Sequence, residues 1–263
     1  MSLFGCDEKD KATLPLKSEP ISPWVLQWSD EFEESEVNRN NWNYEIGLIR
    51  NNESQYYTTR SKNVRVEGGN LIVEAHKELY NGAEYTSGSI LTRGLHSFKY
   101  GRIEMKAKLP QGDGIWSAFW TTGINYTNVG WPQCGEIDII EYLGRMEGII
   151  HGTVHYSMSN THVSQGSTQS IQDPQEFKIY AIEWDKEQIK FFVGNINYYT
   201  FNVENNEAFR KPHILRLNLA LGGWWGGDIG EDILPQKYII DYVRVYSKIN
   251  KKQFIPAVLG LLL

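Results

Sequence analysis

A chain of 263 residues, 41% hydrophobic and 22% charged, has the size and composition of one large globular domain. Its 26 Lys and Arg against 32 Asp and Glu leave a net charge of −6, which disfavours nucleic acid and anionic membranes and suits a neutral or cationic ligand. Two cysteines exclude a disulfide framework, and no apolar run reaches the roughly 20 residues of a membrane span.

In chain order, residues 1–19 are charged and poor in apolar side chains, and they read as a flexible tail. Within it, Leu3-Phe4-Gly5-Cys6 followed by the charged run Asp7 to Asp10 resembles the end of a bacterial lipoprotein signal. We therefore expect a secreted or cell-surface protein with a truncated signal and a lipid anchor at Cys6. A single domain is expected over residues 20–248, with an apolar tail at 249–263 that is too short to span a bilayer.

Order is expected to begin near Trp24, and short strands follow one another. Asn70 to His76 comes after a turn at Glu67-Gly68-Gly69. In Gly101 to Leu109, Ile103, Met105, Ala107 and Leu109 alternate with Arg102, Glu104, Lys106 and Lys108, a strand with one buried face. Trp116 to Trp120 is apolar on both faces and should be central. Phe177 to Trp184, Lys190 to Val193, Tyr198 to Val203, Ile214 to Leu221 and Tyr238 to Tyr246 continue the series. Apart from one turn around Glu204 to Phe209, nothing reads as helix. Strands so spaced predict an all-β sandwich of two sheets.

Gly135 to Glu141, GEIDIIE, carries the chemistry. Its β-branched isoleucines between glycines predict a strand. Side chains alternate on a strand, so Glu136 and Asp138 share a face and Glu141 falls on the other. A β-bulge at Ile139 or Ile140 would correct the phase and gather all three acids on one side. Like charges so close are costly in a structural sheet, and a solvated edge strand would interleave Lys or Arg rather than isoleucine. The stretch therefore predicts an active site.

With its surroundings, the chain resembles glycoside hydrolase family 16, in particular its laminarinase-like β-glucanases. The resemblance runs from about Trp24 to Tyr246. It rests on Asn51 to Thr58, Tyr100 to Pro110, Gly114 to Trp120, Trp131 to Gly144, His151 to Tyr156 and Ile240 to Tyr246. It implies a concanavalin A-like β-jelly roll of two antiparallel sheets with a concave substrate cleft. It also implies roles: Glu136 as nucleophile, Glu141 as general acid/base and Asp138 as the residue that tunes them. A retaining glycosidase needs its two carboxyls about 5–5.5 Å apart, one to attack and one to protonate. The resemblance further assigns His155, Trp131, Trp116, Trp120, Asn51, Asn52 and Asn218 to substrate. For Trp120 a place in the core is an equal expectation, and Asn51 and Asn52 also read as turn residues.

A structural calcium ion is implied at the carbonyls of Glu31 and Gly69 and the carboxylate of Asp241, where capping a turn is the competing role of Asp241. No catalytic cofactor is implied, and a monomer is expected. Two departures stand out: Ser89 replaces a usual arginine, which loosens the linkage assignment, and Ser117 replaces a usual proline. The bulged spacing of the acids sets the chain apart from relatives with the tighter ExDxE pattern. The expected activity is endo-hydrolysis of β-1,3- or mixed-linkage β-1,3-1,4-glucan. Two rivals are a red-algal galactanase, which for sulfated substrates should bring extra basic cleft residues, and a non-catalytic surface glycan-binding lipoprotein, which should lose the acids.

Overall fold

The computed structural model describes residues 23–249. The expectations for the residue 1–19 tail, for Cys6 and for the apolar Phe254 to Leu263 lie outside those residues. Strands begin at Trp24–Asp30 and form two sheets of ten and seven strands. The ten-stranded sheet is centred on Gly101–Lys108, which pairs with Lys178–Trp184 on one side and Gln236–Lys248 on the other. The seven-stranded sheet runs Thr161–Ser170, Ile149–Met158, Glu136–Leu143, Ile115–Gly123, His213–Leu221, Ser89–Leu91 and Asn43–Tyr44. Pairing is antiparallel as expected, except that Gln55–Tyr57 runs parallel to Ala83–Ser87. Besides the turn at Glu207–Arg210, three other single turns of helix form, at Tyr126–Val129, Gly144–Met146 and Gly223–Gly226.

The core lies between the sheets and is built by alternation. Ile103, Met105 and Ala107 are fully buried and face Ile137, Ile140, Phe119 and Leu217 in one continuous cluster. Burying each aliphatic side chain of this size contributes about 1.5–3 kcal/mol. The charged face of the same strand is less solvated than its sequence suggests. Glu104 is 6% exposed, pairs with Arg102 at 2.7 Å and accepts from the hydroxyls of Tyr242 and Tyr246.

The acidic strand Glu136–Leu143 is third from one edge, between Ile115–Gly123 and Ile149–Met158. Its register shows the bulge. Asp138 lies opposite Trp120 and Ile140 opposite Phe119, so Ile139 is the extra residue. On the other side, Asp138 opposite Thr153 and Glu141 opposite His151 show the same single-residue excess. Ile139 and Ile140, consecutive in sequence, both sit in the core at 1% exposure. The two isoleucines absorb the phase change, and Glu141 turns to the outer face with Glu136 and Asp138.

Candidate active site

A cleft of about 910 Å³ crosses the outer face of the seven-stranded sheet, a volume suited to several sugar rings. All three acids line it. Across the sheet, Glu136 lies opposite His155, Asp138 opposite Thr153 and Glu141 opposite His151. The edge strand beyond offers Ser164, Gly166 and Thr168 in the matching positions. Its small side chains leave the space above the acids open.

Burial governs the electrostatics. Carboxyl oxygens of Glu136 and Asp138 and a ring nitrogen of His155 lie within 4.8 Å of one another. Loss of solvation, then the charge of Asp138, raises the Glu136 pKa to about 8; His155, Arg216 and the Trp131 indole N–H act against this. Burial holds Asp138 well above the ordinary carboxylate range. Glu141 is raised by burial first and then by the charges of Asp138 and Glu136. One oxygen of Asp138 lacks a well-aligned donor; His155 Nε2 lies 3.2 Å from it. Three carboxyls in so dry a place cannot all ionise near neutral pH, so protons are shared among them.

Tryptophan side chains are oriented by their polar edges. Trp116 Nε1 donates to Glu141 Oε1 at 3.0 Å, and the Trp131 indole acts to lower the Glu136 pKa. Trp120 donates to Asn218 Oδ1 at 2.7 Å. Trp120 thus lies in the cleft wall and not in the core, because residues 116, 118, 120 and 122 face outward while Ile115 and Phe119 face inward. Asn218 is a cleft residue whose Nδ2 also donates to Tyr57 Oη at 3.1 Å.

Asn51 and Asn52 separate. Both have positive φ, 55° and 51°, as asparagine in a tight turn tolerates. Asn51 lines the cleft and donates to Glu53 at 3.1 Å, whereas Asn52 shapes the turn and is absent from the cleft wall.

Sequence reasoning missed a polar frame at one end of the cleft. Glu45 accepts from Arg216 at 2.6 Å and from Arg50 at 2.9 Å, and both guanidiniums lie against Trp120, at 4.7 and 5.1 Å from its ring. Its arginine partners hold the Glu45 pKa down to about 2 against burial. Ser89, where an arginine is usual, is buried beneath this frame and donates to Glu45 at 2.7 Å. The departure at position 89 therefore does not strip the cleft of guanidinium, and the cleft is more basic than the net charge suggested. These arginines are scattered in sequence, and no local motif marks them.

Also missed was Trp225, in the glycine-flanked doublet Gly222 to Gly227. Its ring stands edge-on to Trp116 at 5.7 Å, and its carbonyl accepts from Arg145 at 2.9 Å. Trp224, 75% exposed, stands at the cleft rim. A tryptophan pair enclosed by glycines was the available signal.

The implied calcium residues lie on the other sheet or its edge. Asp241 pairs with Lys106 at 2.5 Å, and the side chain of Glu31 pairs with Arg244 at 2.7 Å. Among the described residues, no acidic, histidine or cysteine cluster gathers around Asp241. Cys134 is a buried free thiol.

The chain is similar to known proteins over nearly its whole length. The model of glycosyl hydrolases family 16 matches residues 51–244. A β-glucanase of Rhodothermus marinus is 42% identical, over 93% of this chain and 90% of that protein. The solved laminarinase from Rhodothermus marinus superposes with a TM-score of 0.82 at 38% identity, covering 86% of this chain and 98% of that one. The laminarinase catalytic domain of Thermotoga maritima gives 0.79 at 38% identity, covering 86% and 99%. With the sandwich, the bulged acidic strand and these likenesses in agreement, the chain belongs to glycosyl hydrolases family 16.

Proposed function

We propose that this chain is a retaining endo-β-glucanase that hydrolyses β-1,3-glucan or mixed-linkage β-1,3-1,4-glucan. The observation that carries the reading is the bulged strand that turns Glu136, Asp138 and Glu141 together into an aromatic cleft. Of the three acids, Glu136 has the most favourable surroundings for a charge, with His155, Arg216 and the Trp131 N–H nearby. It is the nucleophile. Glu141, raised by burial and by its acidic neighbours, keeps its proton and is the general acid.

In the first step, the Glu136 carboxylate bonds to the anomeric carbon while Glu141 protonates the departing glycosidic oxygen. In the second, the Glu141 carboxylate takes a proton from water, whose oxygen bonds to that carbon and releases Glu136. Asp138, held neutral by burial, lies between them and limits the negative charge that the pair must bear. Trp116, Trp120 and Trp131, with Asn51, Asn218 and His155, line the path of the sugar chain.

Product analysis on laminarin, barley β-glucan, lichenan and agarose tests the reading. Cleavage of the glucans with retained anomeric configuration is expected, and Glu136→Ala should abolish it. Failure to cut any glucan overturns the proposal, and cleavage of agarose alone moves the chain to the galactanase reading.

Further parts of the reading rest on the sequence. We expect export, lipid attachment at Cys6 tested by fatty-acid labelling, and a monomer tested by light scattering. Calcium at the Glu31 and Gly69 carbonyls and Asp241 would have to displace Lys106. Binding should be weak, with Tm rising in millimolar Ca²⁺ relative to chelator; an unchanged Tm removes the site.

A further inference from the structure

His162 lies on the edge strand Thr161–Ser170, two positions from Ser164, the partner of His155, and it belongs to none of the roles described above. Its Nε2 is 2.9 Å from His155 Nδ1. The two rings are stacked, 5.2 Å apart and 22° from parallel, and the Trp131 ring lies 4.5 Å from that of His162. On its far side, His155 Nε2 faces Asp138 Oδ2 at 3.2 Å. A line of polar atoms thus runs from the exposed edge strand to the buried acids: His162, His155, Asp138.

A neutral imidazole has one donor and one acceptor nitrogen, so each link fixes the next. If His162 Nε2–H donates to His155 Nδ1, then His155 carries its hydrogen on Nε2, the nitrogen 3.2 Å from Asp138 Oδ2. When His155 takes a second proton, its Nδ1–H donates to the lone pair of His162 Nε2, a charge-assisted bond that favours the imidazolium. Two imidazoliums 2.9 Å apart would repel, so the pair carries one positive charge at most.

We propose that His162 is a positioning residue that fixes the His155 tautomer toward Asp138 and stabilises the imidazolium of His155 beside the catalytic acids. Burial and the charge of His155 push the His162 pKa down, which keeps His162 neutral as the acceptor. The titratable groups facing the pair are Glu136, Asp138 and Glu141 of the acidic strand. Arg216 acts on the same Glu136 from the His213–Leu221 strand. Lowering the basicity of His155 withdraws a cation from Glu136, so Glu136 ionises at higher pH.

The inference rests on the glucanase reading for its kinetic arm only. In His162→Phe, which keeps a flat ring against Trp131 but has no nitrogen, the acid limb of kcat/KM should move up by about half a pH unit, with activity below it falling about threefold. His162→Gln, which can both donate and accept, should restore part of the shift. A rise in KM alone with an unmoved acid limb would make His162 a sugar contact and overturn the proposal. The second arm needs no substrate. Long-range ¹H–¹⁵N spectra should show His155 as the Nε2–H tautomer in the native chain, and a tautomer mixture with a lower pKa in His162→Phe. If the His155 tautomer and pKa are the same in both proteins, the proposal is wrong even if the chain is a glucanase.

Discussion

The indole N–H of Trp116 reaches Glu141 at 3.0 Å and favours the charged form of that acid, against burial and two acidic neighbours. Removing the donor while keeping the ring should therefore raise the Glu141 pKa further. In Trp116→Phe we expect the alkaline limb of kcat to move to higher pH, because the general acid holds its proton longer. A pH–rate profile measures this, and a limb that stays in place or moves down would show that Trp116 serves only as a sugar platform. Glu141→Gln removes proton transfer itself and should cost about 10²–10⁴-fold in kcat, least for substrates whose leaving group needs no proton.

On the acidic strand, the bulge is a separable device. Ile139 is the extra residue against Ile115–Gly123, and it is buried in the core beside Ile140. Deleting it places Ile140 in the inward position and Glu141 in the next outward one, so all three acids still face the cleft. The loss of one buried isoleucine should cost about 2–5 kcal/mol. Deletion of Ile139 should leave a folded, less stable chain with residual activity. Inserting an alanine after Ile139 also allows plain alternation with Glu141 outward, but it places Glu141 one outward position, about 7 Å, further along the strand from Asp138, beyond the carboxyl spacing that the two-acid mechanism needs, and should abolish activity. Circular dichroism melts and activity assays on the two variants check the pair. Equal loss in both would mean that the bulge geometry matters beyond side-chain parity.

Buried titrations of opposite sign, His213 and Glu136 among them, act on the stability of the whole molecule. His213 is fully buried in the neutral form, accepting from the Thr121 hydroxyl at 2.9 Å and donating to the Ala208 carbonyl at 3.1 Å, and its pKa is pushed down to about 4 by burial. The unfolded chain binds this proton near pH 6.5, so stability is lost as pH falls from about 6.5 to 4, by up to about 3 kcal/mol. Glu136 is the opposite case. Its folded pKa of about 8 lies above the unfolded value, so its burial costs stability as pH rises from about 4.5 to 8. Glu136→Gln should then raise Tm at pH 8 by several degrees and at pH 4.5 by little, at about 2–4 °C per kcal/mol. Scanning calorimetry at the two pH values decides it; an equal shift at both would mean that the carboxylate is not strained by burial. Such a cost is typical of an active site, where function opposes stability.

Sequence alone determined the strands, their inward faces and the chemistry of the acidic strand, because these follow from local periodicity. Ile103, Met105 and Ala107 alternate with charges, and the parity of Glu136, Asp138 and Glu141 required one extra residue. It could not choose between Ile139 and Ile140, since only the register against neighbouring strands separates them. Tertiary structure alone decided that Trp120 faces the cleft, that Asn51 does so without Asn52, and that Glu45 gathers Arg50, Ser89 and Arg216. It also brought His162 to His155 across an antiparallel pair. The physical reason is range. Alternation is written within a few residues of one strand, whereas hydrogen bonds between strands depend on pairing that the local pattern does not encode.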